Sequence, residues 1–95
     1  MSMIVTKHVR ISGRVQGVFF RACTQDKAEA FNVCGWARNT VSGDVEAVFQ
    51  GKEDSVESMI EWCYKGSPSS QVYSVKTEVF QTEERFSKFS ILPTE

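Results

Sequence analysis

The sequence predicts an α+β sandwich, with two helices laid on one face of an antiparallel sheet of four to five strands. Three observations carry this. Several short segments alternate apolar and polar residues, two longer ones repeat apolar residues at helical spacing, and the two kinds follow one another as β-α-β-β-α-β with a short strand to finish.

Lys7 to Gly13 alternates, with Val9 and Ile11 on one face, as a half-buried strand does. A helix is expected from Ala22 to about Phe31, with Thr24, Ala28 and Phe31 at helical spacing below Phe20. Asn32 follows where that helix would finish in the left-handed conformation, for which Asn is second only to Gly. Cys34 to Thr40 and Asp44 to Gln50 make a hairpin around Ser42-Gly43, and Val45, Ala47 and Phe49 give its second strand an inward face. The second helix carries Val56, Met59, Ile60 and Cys63 in one stripe. Asp54 and Glu57 have the spacing of a capping box there, with Asp in place of the usual Ser or Thr, and Gly66-Ser67-Pro68 ends the helix. Val72 to Phe80 alternates, with Tyr73, Val75, Thr77 and Val79 on one side, and Phe86 to Leu92 reads as the last strand. The order is that of the ferredoxin-like sandwich.

A chain of 95 residues has room for one core, so a single domain over residues 1–95 is expected. No apolar run approaches the roughly 20 residues of a membrane helix. The opening Met-Ser-Met-Ile-Val-Thr-Lys lacks the long apolar stretch of a signal peptide, which makes the cytoplasm the expected location and leaves a membrane out. A net charge of −1 argues against nucleic acid as a partner, because a phosphate backbone demands a basic surface. Positive charge is nonetheless local, with Arg10, Arg14, Arg21 and Arg38 early in the chain and Glu53, Asp54, Glu57, Glu83 and Glu84 later. A small anion suits that asymmetry better than a polyanion. Cys23, Cys34 and Cys63 have neither Cys-x-x-Cys spacing nor an even count, and read as reduced thiols. Nothing in the pattern calls for more than a monomer.

The densest information lies in Gly13-Arg14-Val15-Gln16-Gly17-Val18-Phe19-Phe20-Arg21, between the first strand and the first helix. Two glycines four apart let the backbone turn tightly and approach a ligand with no Cβ in the way. A helix beginning just after such a turn points unpaired N–H groups and the positive end of its dipole into the concavity. Arg21 adds a planar fork that grips two oxygens at once. All of this suits a phosphoryl group, although strand, glycine turn and helix also occur as plain connections. It is not the nucleotide loop, since no Lys follows Gly17, and the dinucleotide Gly-x-Gly-x-x-Gly is absent.

A second informative stretch is Gly35-Trp36-Ala37-Arg38-Asn39-Thr40-Val41-Ser42-Gly43-Asp44-Val45. Together the two closely resemble the acylphosphatase family, through Gly-Arg-Val-Gln-Gly-Val-x-Phe-Arg, Thr24-Gln25, Ala28, Gly-Trp-x-Arg-Asn and Gly-x-Val. The likeness continues more loosely through Gly51, Met59, Trp62 and Gly66-Ser67-Pro68 to the final strand. Asn32 departs from it, because the family usually has Gly there. The resemblance implies the same ferredoxin-like fold and hydrolysis of the carboxyl-phosphate bond of acyl phosphates, such as 1,3-bisphosphoglycerate, acetyl phosphate or carbamoyl phosphate. Inorganic phosphate is the implied product, with no metal and no cofactor. By the same resemblance Arg21 binds the phosphoryl oxygens beside the backbone N–H groups of Gln16, Gly17, Val18, Phe19 and Phe20. Asn39 holds and orients the attacking water.

The chemistry asks for little more. A carboxylate, whose conjugate acid has a pKa of about 4, leaves without a general acid. The transition state is loose, with charge spread over the equatorial oxygens, so positioning and electrostatic stabilisation supply nearly all the catalysis. Other chemistries fit poorly. A cysteine phosphatase needs Cys-x₅-Arg, whereas Cys23 follows Arg21 and Cys34 precedes Arg38 by four positions. His8, the only histidine, sits early in the first strand with no triad or metal partner, and Asp44 and Glu46 suggest no metal cluster. Trp36, Phe19 and Phe20 read as core or site-lining aromatics. The rival from another class is a non-catalytic phosphate- or anion-binding module of the same fold. A ferredoxin-like RNA binder would need a basic-aromatic segment that the chain lacks.

Overall fold

The computed structural model describes residues 3–95, so Met1 and Ser2 of the N-terminal reading lie outside it. Five strands and two helices follow as β1 (Ile4–Arg14), α1 (Phe20–Ala30), β2 (Cys34–Asn39), β3 (Val45–Lys52), α2 (Glu53–Lys65), β4 (Gln71–Val79) and β5 (Phe89–Ile91). The sheet order is β4-β1-β3-β2-β5. β1 pairs antiparallel with β3 and β4, and β2 antiparallel with β3. β5 joins β2 in parallel, so the expected all-antiparallel sheet is a mixed one.

The core forms where the helices cover the sheet. Val9 and Ile11 of β1, Ala37 of β2, and Val45, Ala47 and Phe49 of β3 are fully buried, as alternation demands. From the helices come Phe20 and Ala28 of α1 and Val56, Met59 and Cys63 of α2, with Ile60 and Phe31 partly buried against them. Phe20 packs on Trp62 with ring centroids 5.4 Å apart, joining the two helices. Thr24 is also fully buried, and its hydroxyl donates to the Phe20 carbonyl at 2.7 Å, which satisfies a polar group with no other outlet. Asn32 has φ 60, the left-handed finish expected of it.

Four expectations about the elements need correcting. α1 begins at Phe20 rather than Ala22. Asp54 does not cap α2: the capping position is Lys52, with no side-chain hydrogen bond, and Glu53 and Asp54 lie inside the first turn. Their carboxylates still favour the positive end of the helix dipole. On β4, Tyr73 is exposed while Val72 and Val75 pack on the core. The pairing explains this, because Ser12 faces Ser74 and Gly13 faces Val72, leaving Tyr73 unpaired in a bulge that reverses the alternation. The last strand starts at Phe89, not Phe86, because the Phe86 N–H is already taken by Gln50 Oε1 at 2.9 Å. The Gln50 amide donates in turn to the Glu84 carbonyl at 2.8 Å, holding this stretch off the sheet ladder.

Glu46 lies on β3 between His8 and Arg38, 2.7 Å from His8 Nε2 and 2.7 Å from Arg38 Nε. Burial alone would push its carboxyl up, but the hydrogen bonds from His8 and Arg38 and their charges outweigh this and hold it below its ordinary 4.5. A carboxyl depressed in the folded state stabilises the fold above its unfolded pKa, and that contribution is lost as pH falls through the folded value. Urea midpoints measured against pH should therefore fall on the acid side of 4.5, and fall less steeply in Glu46→Gln. Parallel acid limbs in the two proteins would show that this carboxyl is not responsible.

Candidate active site

Between β1 and α1 the backbone twice takes a left-handed conformation, with φ +73 at Gly17 and φ 59 at Phe19. Gly17 adopts it freely, and a Cβ placed there would meet nothing within 4 Å. Phe19 immediately precedes α1 and offers the helix no side-chain cap. Among the described residues, none of the N–H groups of residues 16–20 donates to a backbone carbonyl. The first helical hydrogen bond is Cys23 N–H to the Phe19 carbonyl at 3.0 Å. The turn thus presents a run of uncommitted amides at the positive end of α1.

Two side chains strap this turn in place. Gln16 donates from one nitrogen to the carbonyls of Thr40 and Asp44, each at 2.8 Å, spanning the mouth of the β2–β3 hairpin. Ser67, buried just beyond α2, donates its hydroxyl to the Val18 carbonyl at 2.9 Å. The sequence reading missed both. Beyond the family likeness it gave Gln16 a role only through its backbone amide and Gly66-Ser67-Pro68 only as a helix stop, and contacts so distant in sequence leave no local pattern.

Arg21, half-buried at the second position of α1, shares a cleft of about 290 Å³ with Gly17, Phe19, Phe20 and Ile91. Its guanidinium takes part in none of the three ion pairs found among the described residues. Arg10, by contrast, is committed to Asp44 at 2.8 Å and Arg38 to Glu46 at 2.7 Å. The early arginines of the sequence are therefore not equivalent: two of them are neutralised by carboxylates, and Arg21 faces the cleft.

Asn39 ends β2, opposite Val45, and is not among the side chains lining that cleft. It stands beside it. Two residues earlier on the same side of β2 is Ala37, whose register partner on β5 is the cleft residue Ile91. The residue after Asn39 is Thr40, to which Gln16 is bonded. The Asn39 Oδ1 atom is buried without a hydrogen-bond partner, a costly state for an acceptor unless something donates to it. Val18, the remaining predicted loop residue, is buried and turns its side chain to the core.

Other groups are poorly placed for chemistry. Cys63 is fully buried and its thiol is pushed up to about 12, far from the reactive thiolate form. Cys23 and Cys34 are half-buried and, like Cys63, free. Among the described residues no group of three or more His, Cys, Asp or Glu side chains stands arranged for a metal. No helix there is long and apolar enough to cross a membrane.

A family model described as acylphosphatase matches residues 7–91. The chain belongs to the acylphosphatase family. It is 52% identical to an acylphosphatase of Natronomonas pharaonis over 75 residues, 79% of this chain and 82% of that one. Among solved structures, an acylphosphatase from Coxiella burnetii superposes with a TM-score of 0.89 at 39% identity, covering 94% of this chain and 93% of that one. Full-length HypF, in a phosphate- and nucleotide-bound form, contains a region that superposes with a TM-score of 0.88 at 26% identity. That match covers 99% of this chain and 12% of HypF, so the fold also occurs as a small part of a larger protein.

Proposed function

We propose that this protein is an enzyme that hydrolyses acyl phosphates to a carboxylate and inorganic phosphate. Family membership supports the reaction, and the observation that carries its placement is the run of uncommitted amides at residues 16–20 beside Arg21. In this reading those amides and the guanidinium gather the phosphoryl oxygens, and their donors strengthen as charge spreads over the oxygens in the transition state. A water held by Asn39 attacks phosphorus. As its oxygen bonds to phosphorus, the bond from phosphorus to the acyl oxygen breaks and the electron pair leaves on the carboxylate. The water's proton passes to a phosphoryl oxygen, since an amide accepts none near neutral pH. Asn39 is thus a positioner, and its unpartnered Oδ1 is the acceptor to which the water donates.

The proposed form is a metal-independent monomer of the cytoplasm, folded as one domain. Three free cysteines suit a reducing compartment. A mass of two chains by light scattering would overturn the monomer.

The test is phosphate release from benzoyl phosphate in excess chelator by the native protein and Asn39→Ala. Turnover far above spontaneous hydrolysis is expected from the native protein, with kcat lowered roughly 10²-fold in the variant, the scale set by a misplaced reactant. Asn39→Ala should meanwhile unfold at the same or a higher urea concentration, because it removes a buried acceptor that has no protein partner. Background turnover by the native protein, with inorganic phosphate still bound, would make this a binding module of the same fold.

A further inference from the structure

We propose that Phe19 and Ile91 form an apolar subsite for the acyl group, so that the enzyme favours acyl phosphates with aromatic acyl groups over short aliphatic ones. The inference rests on the cleft beside Arg21 being the acyl-phosphate site, and it gives that site a substrate class.

Phe19 and Phe20 are neighbours with opposite surroundings. Phe20 is 1% exposed and packs on Trp62, whereas Phe19 is 80% exposed. Core packing therefore does not account for the Phe19 ring. Nor does the backbone: with φ 59 and ψ 22 the residue is left-handed, a conformation that Gly or Asn adopts more readily than a bulky aromatic. Capping does not account for it either, since Phe19 makes no side-chain cap bond to α1. What the left-handed turn achieves is to leave an exposed Phe19 among the residues that line the Arg21 cleft.

In the same cleft Ile91 is 39% exposed, another large apolar side chain left open to solvent. The cleft thus brings a guanidinium and uncommitted amides together with two exposed apolar side chains, Phe19 and Ile91. An acyl phosphate likewise joins an anionic phosphoryl group to a carbon part. With its phosphoryl oxygens on Arg21, its acyl carbons extend away from the guanidinium, and an aromatic acyl group can meet the Phe19 ring edge-on or offset. A methyl group offers far less apolar surface to bury against Phe19 and Ile91.

The experiment compares kcat/KM for benzoyl phosphate and acetyl phosphate in the native protein, Phe19→Ala and Phe19→Trp. The ratio between the two substrates cancels any disturbance of the turn or of folding common to both. Phe19→Ala should lower the benzoyl-to-acetyl ratio about tenfold, in the range by which an apolar contact discriminates substrates, while Phe19→Trp keeps it. A ratio in Phe19→Ala within twofold of the native one would overturn the subsite while leaving the hydrolase reading intact. No turnover of either substrate by the native protein would sink both.

Discussion

Arg21→Ala is expected to lower kcat/KM for acyl phosphates by at least 10²–10³-fold, about 3–4 kcal/mol of transition-state stabilisation, the scale known for removing one oxyanion donor. The loss should fall on kcat as well as on KM, because a loose phosphoryl transition state spreads charge onto the oxygens that the guanidinium is proposed to hold throughout. Inhibition by inorganic phosphate should weaken in parallel. Folding should hardly change, by about 0.5 kcal/mol or less, since Arg21 is in no ion pair among the described residues and the core does not include it. Arg21→Lys sharpens the argument. It keeps the charge and loses the planar fork, so if bidentate grip matters it should recover only a small part of the activity. Full recovery by lysine would reduce Arg21 to a point charge, and an alanine variant within tenfold of native would remove it from the mechanism.

The contrast among the arginines shows where the sequence could and could not be read. Clustering of Arg10, Arg14, Arg21 and Arg38 is visible in the chain, but their division into paired and unpaired depends on Asp44 and Glu46, which only strand register brings alongside. Alternation located β1, β3 and most of β4, because one buried face imposes period two on the residues themselves. The bulge at Tyr73 escaped, since an extra residue in one strand has no signature in that strand's own pattern. β5 shrank for a related reason. Phe86 to Phe89 have the composition of a strand, and it is Gln50, 36 residues before Phe86, that takes the Phe86 N–H. At the site the motif residues Gly17, Phe19, Phe20 and Arg21 come together, as a contiguous segment must. Gln16 to Thr40, Ser67 to Val18 and Ile91 beside Arg21 are long-range pairings, and no window along the chain contains them.

Gly35→Ala should be the most damaging small substitution for stability, and Gly17→Ala the control that explains why. Both glycines have positive φ, +134 and +73 respectively, so an alanine at either carries conformational strain of about 1–2 kcal/mol. The difference lies in space. A Cβ at Gly17 meets nothing within 4 Å, whereas one at Gly35 would overlap the carbonyl oxygen and carbon of Val48 on β3. Those are backbone atoms in the middle of the sheet, where β2 runs between β3 and β5, and they cannot swing aside as a side chain does. Relief requires the strands to part, which loosens the ladder above fully buried Phe49 and the Gly35–Phe89 pairing with β5. A cost of about 4 kcal/mol or more is expected, much of the roughly 5–15 kcal/mol that a domain of this size has in all. In urea, Gly35→Ala should unfold at a far lower midpoint or fail to fold, while Gly17→Ala loses only about 1 kcal/mol. Activity should rank them the other way per folded molecule, because the Gly17 methyl enters the space over the turn that the phosphoryl group is proposed to occupy. Equal stability losses in the two variants would mean that strain alone decides, and that the approach of Val48 to Gly35 is not what makes glycine necessary there.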